Sequence, residues 1–313
     1  MKRSFSIFLC ILLLTGFLSA CAPAAPANQA EATAEALKVT DGLGRNLTLN
    51  PNPKRVISLA PSNTEILFAV GAGDIVVGRD DFSNYPEQVK ALPSVGGSMG
   101  DYNLEEIISL KPDLVLAAEI NSPEQVKAIE DAGLPVVYYL SNPTDLEGMY
   151  KNLETVGLLT NRQKQAADLV ASLRERVAAV EQKLQGITTH PKVFYELDGS
   201  DPSKPWTSGK GTFMDLLIQL AGGENVGASM DSAWGQMSQE ALLVANPDVI
   251  LLGDATYGTT AEQVAARAGW EKIKAVQTGQ ILPFNDDMAS RPGPRLVDGL
   301  EILARILHPE NFK

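Results

Sequence analysis

The sequence is poor in the side chains from which most metal and nucleophilic sites are built. Its 313 residues include only two cysteines, two histidines and three tryptophans. A zinc site needs several Cys or His ligands, and a disulfide framework needs several Cys pairs, so both are excluded. The sequence also lacks the glycine-rich loops that bind ATP or nicotinamide phosphates. We therefore predict a protein that is not an enzyme, with no cofactor and no metal of its own.

Positive charge is also scarce, with 26 basic residues against 38 acidic ones and a formal net charge of -12. Nucleic-acid binders present a basic face to the phosphate backbone. The charge balance therefore argues against a nucleic-acid partner.

The first twenty residues have the pattern of a secretory signal. Lys2 and Arg3 precede an apolar run over residues 5–18 that is too short for a good membrane span. The run ends Leu18-Ser19-Ala20-Cys21, which resembles the bacterial lipobox, although an ordinary signal peptide with a chance cysteine is the alternative. We expect a signal peptide over 1–20, lipidation at Cys21, a linker over 21–37 and an extracytoplasmic location on a membrane. Loss of the two leader charges takes the formal charge from -12 to -14.

Strand and helix patterns alternate through the rest of the chain. Residues 55–59, 114–118 and 136–140 read as buried strands, and helices of about ten residues follow or separate them, with Ser62 or Asn63, and Asn103, as caps. This order predicts an α/β fold with mainly parallel sheets.

The sequence matches itself at two places. Residues 104–119 align without gaps on 239–254, so that Glu105 falls on Glu240 and Asp113 on Asp248, and residues 65–78 align on 215–228. Two matches in the same order predict two related lobes, which we place at 38–160 and 188–313.

A long amphipathic pattern lies between the expected lobes. Apolar residues recur every three or four positions over 161–187, and Thr160 with Gln163 would form a capping box at its start. We predict one helix joining the lobes, and a monomer. A dimeric coiled coil is the alternative, although the pattern spans fewer than four heptads.

Three segments resemble a known family. RVISLAPSNTEILFAVGAGDIVVG at 55–78, NLEEIISLKPDLVL at 103–116 and PWTSGKGTFMDLLIQLAGGENV at 205–226 are similar to the extracytoplasmic substrate-binding proteins of metal-chelate ABC importers. The likeness runs from about residue 53 to 309. It implies two α/β lobes bridged by one helix, and a receptor that captures a chelate and delivers it to a permease dimer powered by a cytoplasmic ATPase.

The resemblance also implies where such a permease would dock. The family uses one acidic residue per lobe, and here the matching positions are Glu105 and Glu240. The alternative is that these carboxylates only stabilise the first turn of their helices, or that Glu106 completes a capping box.

The second lobe resembles the cobalamin-binding members of the family. Trp206 and Trp234 match aromatic positions that lie against the corrin, and Asp287 and Arg291 match a polar pair. The first lobe departs from the cobalamin pattern, and Tyr102 is its nearby aromatic candidate. Core packing of each tryptophan and a local Asp287–Arg291 salt bridge are the alternatives.

Other chelates stay open at this point. A ferric siderophore would favour a basic cleft, to which Arg79, Lys210 and Arg291 could contribute. Haem would need an iron ligand, for which Tyr85, Tyr102 or Tyr257 are better placed than His190 or His308. Zinc and manganese receptors need several histidines, which the chain lacks.

A secreted α/β hydrolase is the alternative from another class. The sequence has no G-x-S-x-G elbow, and a catalytic triad would have to use one of two badly placed histidines. Asp80/Asp81 and Asp286/Asp287 are adjacent pairs without the spacing of glycosidase carboxylates.

Overall fold

The computed structural model describes residues 36–97, 100, 102–133 and 137–313. The expected signal peptide, Cys21 and the linker up to residue 35 lie outside the described residues. The strand β1 begins at Leu37, which the expected linker included.

Two four-stranded parallel sheets form the centres of two α/β lobes. Their neighbour orders are β4-β3-β5-β6 and β9-β7-β11-β12, and two antiparallel pairs, β1-β2 and β8-β10, lie apart from them. The strands are β1 Leu37–Thr40, β2 Asn46–Leu49, β3 Val56–Ser58, β4 Val76–Arg79, β5 Leu114–Ala117, β6 Val137–Tyr139, β7 Lys192–Glu196, β8 Trp206–Ser208, β9 Glu224–Asn225, β10 Trp234–Gln236, β11 Val249–Leu252 and β12 Ile281–Pro283.

Helices connect and cover these strands. They are α1 Pro61–Ala69, α2 Leu104–Ser109, α3 Pro123–Asp131, α4 Leu146–Leu159, α5 Gln163–Lys183, α6 Phe213–Leu220, α7 Gln239–Ala245, α8 Ala261–Ala265, α9 Lys274–Gln277, α10 Asp287–Ser290 and α11 Arg295–Leu307. In the described part of the chain, no helix is both long and apolar enough to cross a membrane.

The repeat found in the sequence corresponds to a repeat in structure. Helix α2 and strand β5 lie 135 positions before α7 and β11, and each pair begins in register. Lys111 and Asn246, also 135 apart, both adopt left-handed backbone conformations, with φ of 47° and 48°. Asp113 accepts hydrogen bonds from the backbone of Lys54 and Arg55 before β3, and Asp248 accepts one from Lys192 at the start of β7. The repeated Asp therefore fixes the start of the neighbouring strand in each lobe.

Each sheet packs one face into an interior that both lobes share. Val56 and Leu116 of the first sheet and Tyr195 and Leu251 of the second belong to one buried apolar cluster. Alternate residues on the same strands point the other way, into a separate core for each lobe. The lobes are thus joined by a continuous core as well as by the chain.

Helix α5 lies in this shared core. Ala166, Val170, Leu173, Val177 and Val180 form its buried stripe. The stripe predicted from the sequence therefore packs inside the chain, which accounts for it without a coiled-coil partner.

The ends of two helices differ from the prediction. Helix α5 begins at Gln163 with Arg162 at its N-cap and no side-chain cap. The Thr160 hydroxyl instead donates to the carbonyl of Val156 at the end of α4, so the predicted capping box is wrong. Helix α1 begins at Pro61 after an uncapped Ala60, so neither Ser62 nor Asn63 is its cap.

Gly157→Ala tests the close contact between α4 and α5. Alanine normally favours a helix over glycine by about 1 kcal/mol. A Cβ on Gly157 would lie 2.5 Å from the Cβ of Ala166, so we expect a net loss of about 1–3 kcal/mol in the free energy of unfolding. Chemical denaturation measures it, with the exposed Glu154→Ala in the same helix as control. A stabilised Gly157→Ala protein would contradict this packing.

Candidate functional site

A cavity of about 490 Å³ lies between the lobes, where the carboxyl ends of strands from both sheets meet. The first lobe contributes residues that follow β3, β5 and β6, and the second contributes residues that follow β11 and β12. In open α/β sheets, ligands bind beyond the carboxyl ends of the strands. The volume is typical of a small-molecule site.

Three large exposed side chains line this cavity. They are Phe82, Ile120 and Tyr257, and the Tyr257 side chain is the most open, with 89% of the residue exposed. Exposed aromatic and aliphatic groups in a concave site provide contact area for a large, partly apolar ligand. Phe82 and Ile120 were not predicted from the sequence, although their positions just after β4 and β5 could have indicated them.

A buried carboxylate holds the loop that carries Phe82. Asp80 accepts hydrogen bonds from the backbone N–H groups of Phe82 at 2.8 Å and Ser83 at 3.1 Å. Burial raises the pKa of Asp80, while hydrogen bonds from Ser83 and Phe82 oppose the rise. Asp80 therefore fixes the backbone of the loop that places Phe82 in the cavity wall.

The uncapped start of α1 also reaches the cavity. Residues 60–63 line it, and α1 has no side-chain cap. Asn63 is buried, and its Nδ2 atom has no hydrogen-bond partner within the described structure. Free donors at a helix start suit acceptor groups such as ligand carbonyls.

Asp287 and Arg291 both line the cavity and pair with each other at 2.7 Å. Arg291 also contacts Glu65 of α1 at 3.2 Å, which crosses from one lobe to the other. Arg295 donates to both oxygens of Glu65, at 2.8 and 2.5 Å. The local Asp287–Arg291 pair is thus one part of a charge cluster that joins the lobes.

Arg295 stays charged within this cluster. Burial by itself would lower its pKa, but hydrogen bonds and the charge of Glu65 raise the pKa above its ordinary value. Its guanidinium also lies 4.2 Å from the centre of the Tyr85 ring. Neither Glu65 nor Arg295 was singled out from the sequence, because nothing local marks a pair 230 positions apart.

Asp286 forms a second fixed carboxylate at the cavity. It accepts a hydrogen bond from the hydroxyl of Tyr195. Burial and the charge of Asp286 raise the pKa of Tyr195, so this hydroxyl keeps its proton.

The three aromatic residues predicted to contact a ligand lie elsewhere. Tyr102 is buried, and its hydroxyl donates to the carbonyl of Leu59 and accepts from the side chain of Asn121. Trp206 and Trp234 stand on β8 and β10 with 41% and 40% of each residue exposed. None of the three lines the 490 Å³ cavity, whereas Asp287 and Arg291 do.

Trp206 and Trp234 share one face of the antiparallel ribbon. Trp206 lies opposite Gln236, and Trp234 lies opposite Ser208, so the two indoles are diagonal neighbours at a spacing of roughly 7–8 Å. The ribbon is tied to the end of β7, because the backbone of Trp206 pairs with that of Asp198. Asp198 borders a cavity that also contains Tyr257. The ribbon therefore lies beside the second-lobe wall of the cleft.

Most side chains considered for other chelates are engaged or lie away from the cavity. The Arg79 guanidinium donates to the carbonyls of Val89 and Asp80. Arg79, Lys210 and Tyr85 do not line the 490 Å³ cavity, and Tyr257 does.

Glu105 and Glu240 occupy equivalent exposed positions. Each lies in the first turn of a short helix, α2 or α7, whose N-cap is another residue, Asn103 or Ser238. Neither carboxylate has an ion-pair partner among the described residues. The capping box considered for Glu106 is not formed, because the backbone N–H of Asn103 donates to the carbonyl of Val95 and not to the Glu106 side chain.

A second cavity of about 510 Å³ adjoins the cleft at Tyr257. Its wall includes Arg267, which bonds to the fully buried carboxylate of Glu196 and lies 4.6 Å from the ring centre of Trp270. Burial raises the pKa of Glu196, and the bonds from Arg267 hold that rise back.

Arg267→Met should destabilise the protein more at neutral than at acid pH. The change leaves Glu196 unpaired and raises the pKa of its carboxyl in the folded protein further above the pKa in the unfolded chain. The stability of the protein then falls as the pH rises from the unfolded pKa to the folded pKa, because the buried carboxyl resists losing its proton. We expect a loss of about 3–5 kcal/mol near pH 7 and a smaller loss near pH 5, measured by denaturant unfolding. The double variant Glu196→Gln/Arg267→Met should recover part of the loss. A deficit that does not change with pH would contradict the assignment.

Comparison with known proteins points to one family. The family model described as "Periplasmic binding protein" matches residues 56–287. The ABC transporter substrate-binding lipoprotein YvrC of Bacillus subtilis is 34% identical over the whole of both chains. A cobalamin-binding protein of Halobacterium salinarum is 31% identical, covering 94% of this chain and 81% of that one.

Solved structures show the same fold. The periplasmic vitamin B12 binding protein BtuF of Vibrio cholerae has a TM-score of 0.69 at 28% identity, covering 83% of this chain and 98% of its own. The periplasmic heme-binding protein RhuT of Roseiflexus has a TM-score of 0.73 at 29% identity, covering 82% and 99%.

Proposed function

The chain belongs to the periplasmic binding protein family, and from this premise we propose that it captures a corrinoid and delivers it to an ABC importer. The corrinoid would bind in the cleft between the lobes without chemical change. The chain would be held outside the cytoplasm by lipid on Cys21, as the lipoprotein name of the YvrC relative supports. Its partners would be a permease dimer and a cytoplasmic ATPase, and it would act as a monomer.

The class of ligand is inferred from the charge of the cavity. Its charged lining residues are Glu119, Asp286, Asp287 and Arg291, so acidic groups outnumber basic ones. An anionic chelate would meet repulsion there. A corrinoid presents a broad apolar ring edged with neutral amides, which suits the Phe82, Ile120 and Tyr257 surface together with the polar Asp287–Arg291 pair.

The exposed tryptophan ribbon extends this surface. Trp206 and Trp234 would contact a ligand larger than the 490 Å³ cavity where it projects over the second lobe. Tyr102 would act indirectly, through its bonds to Leu59 and Asn121 behind the cleft wall.

Tryptophan fluorescence tests the ligand. Cyanocobalamin should quench the emission of the mature protein, and Trp206→Phe and Trp234→Phe should each reduce the quenching, because these two indoles are exposed while Trp270 is buried. Each variant should also raise Kd about threefold, because the phenyl ring has less contact area than the indole.

Two outcomes would overturn the corrinoid assignment. One is emission that cyanocobalamin leaves unchanged while a ferric siderophore quenches it. The other is tight binding of haemin with a phenolate-to-iron absorption band that Tyr257→Phe removes, which would favour haem, since Tyr257 is the exposed tyrosine in the cavity. Turnover of a substrate without stoichiometric binding would instead favour the hydrolase.

For docking, we propose that Glu105 and Glu240 each meet a basic pocket of the permease dimer. Both are exposed, both lie at the same place in the repeat, and neither is needed as an N-cap. One charge per lobe suits a partner with two-fold symmetry.

Charge reversal tests this role. Glu105→Lys/Glu240→Lys should abolish uptake of cyanocobalamin into cells that express the cognate transporter, while Kd for cyanocobalamin stays unchanged. Glu124→Lys/Glu271→Lys, at exposed positions of both lobes, is the matched control and should transport normally. Weakened ligand binding in the first variant would place these residues in the cleft instead.

A further inference from the structure

Glu65 is the centre of the charge cluster that joins the two lobes. Its side chain, on α1 of the first lobe, is 1% exposed and bonds to Arg291 and Arg295 of the second lobe. Asp287 completes the cluster, at 2.7 Å from Arg291 and 3.5 Å from Arg295. Two carboxylates and two guanidinium groups therefore balance each other.

The cluster connects the cavity with a position outside it. Arg291 and Asp287 line the cavity, but Glu65 and Arg295 do not. Glu65 and Arg295 instead face a separate pocket beside α5 and α11. Glu65 can therefore influence a ligand only through Arg291 and through the electrostatic potential.

Arg291 is the single cationic side chain lining the cavity in the described structure. An unpaired arginine in such a site would attract carboxylates and other anions strongly, because its charge is only partly screened by solvent. The carboxylate of Glu65, together with Asp287, cancels that attraction. Asn84 also accepts a hydrogen bond from Arg291 at 2.8 Å, so most of its donors are already used.

We propose that Glu65 is a specificity-determining residue: it positions Arg291 from the opposite lobe and neutralises it, so that the cleft selects neutral chelates over anionic ones. This inference rests on the proposed function as a chelate receptor, but it concerns ligand charge and not the identity of the corrinoid. Because Glu65 does not line the cavity, its role is that of a positioning residue.

Two ferric chelates that differ in charge test the role of Glu65. They are a trianionic tris-catecholate and a neutral trihydroxamate, and cyanocobalamin is a second neutral probe. Kd for each is measured by fluorescence quenching and calorimetry on the whole mature chain. The wild type should prefer the neutral probes. Glu65→Gln should shift the ratio of the two ferric-chelate affinities toward the anion by about tenfold or more. Arg295→Gln, which leaves an excess of negative charge, should shift the ratio the other way.

The double variant separates charge from structure. Glu65→Gln/Arg295→Gln removes one acid and one base, so its selectivity should return to within about threefold of the wild type. Glu65→Asp, which keeps the charge, should keep the selectivity. Glu301→Gln is the matched control, because Glu301 pairs with Arg176 outside the cavity.

The proposal is overturned if folded Glu65→Gln keeps the wild-type ratio, or if the double variant departs from it as far as the single one does. If Glu65→Gln does not fold, Arg295→Gln and the double variant decide. The proposal is then overturned if Arg295→Gln keeps the wild-type ratio, or if the double variant departs from that ratio as far as Arg295→Gln does. Selective binding of neutral ferric chelates without cyanocobalamin binding would remove the corrinoid assignment and leave the role of Glu65 standing. If the wild type binds none of the three probes, the proposed function fails and this inference fails with it.

Discussion

The apolar cluster that both lobes share is the constraint on which the structure depends. The inner faces of the two parallel sheets and helices α5 and α11 all contribute residues to one buried cluster, so the lobes have a common interior. Apolar burial of this extent opposes large separation of the lobes, because any opening would expose core residues to water. The carboxyl ends of both sheets are consequently held facing one cleft. A cleft held in this way is suited to small adjustments of its walls.

The buried charges lie at the point where this shared core meets the cleft. Glu65 and Arg295 are buried and would be costly to bury singly. They are stable there because each has partners of opposite sign, including the half-buried Arg291 and Asp287. The arrangement gives the cleft a polar wall without a net positive charge. It also makes the cavity-lining Arg291 depend on Glu65 of the opposite lobe.

Three other acidic groups near the cleft have structural partners. Asp80 shapes the loop that carries Phe82, Asp286 accepts the Tyr195 hydroxyl, and Glu196 pairs with Arg267. Each of these three carboxylates holds part of a cavity wall through its hydrogen bonds. The open surface is left to Phe82, Ile120 and Tyr257, whose contribution is contact area.

The sequence by itself determined the two α/β lobes, the repeat of Glu105 on Glu240 and the buried stripe of α5. The helices and strands follow from the spacing of apolar residues and from glycine, proline and capping residues, which act over a few positions. The two lobes follow from the similarity of the sequence to itself, which remains visible after a duplication. Only the tertiary structure decided that Tyr102 is buried, that the tryptophans share a ribbon face beside the cleft, and that Thr160 ends α4 and does not cap α5. It alone placed Glu65 against Arg295, because a pair separated by 230 positions leaves no periodic signal and forms only when the shared core brings both lobes together.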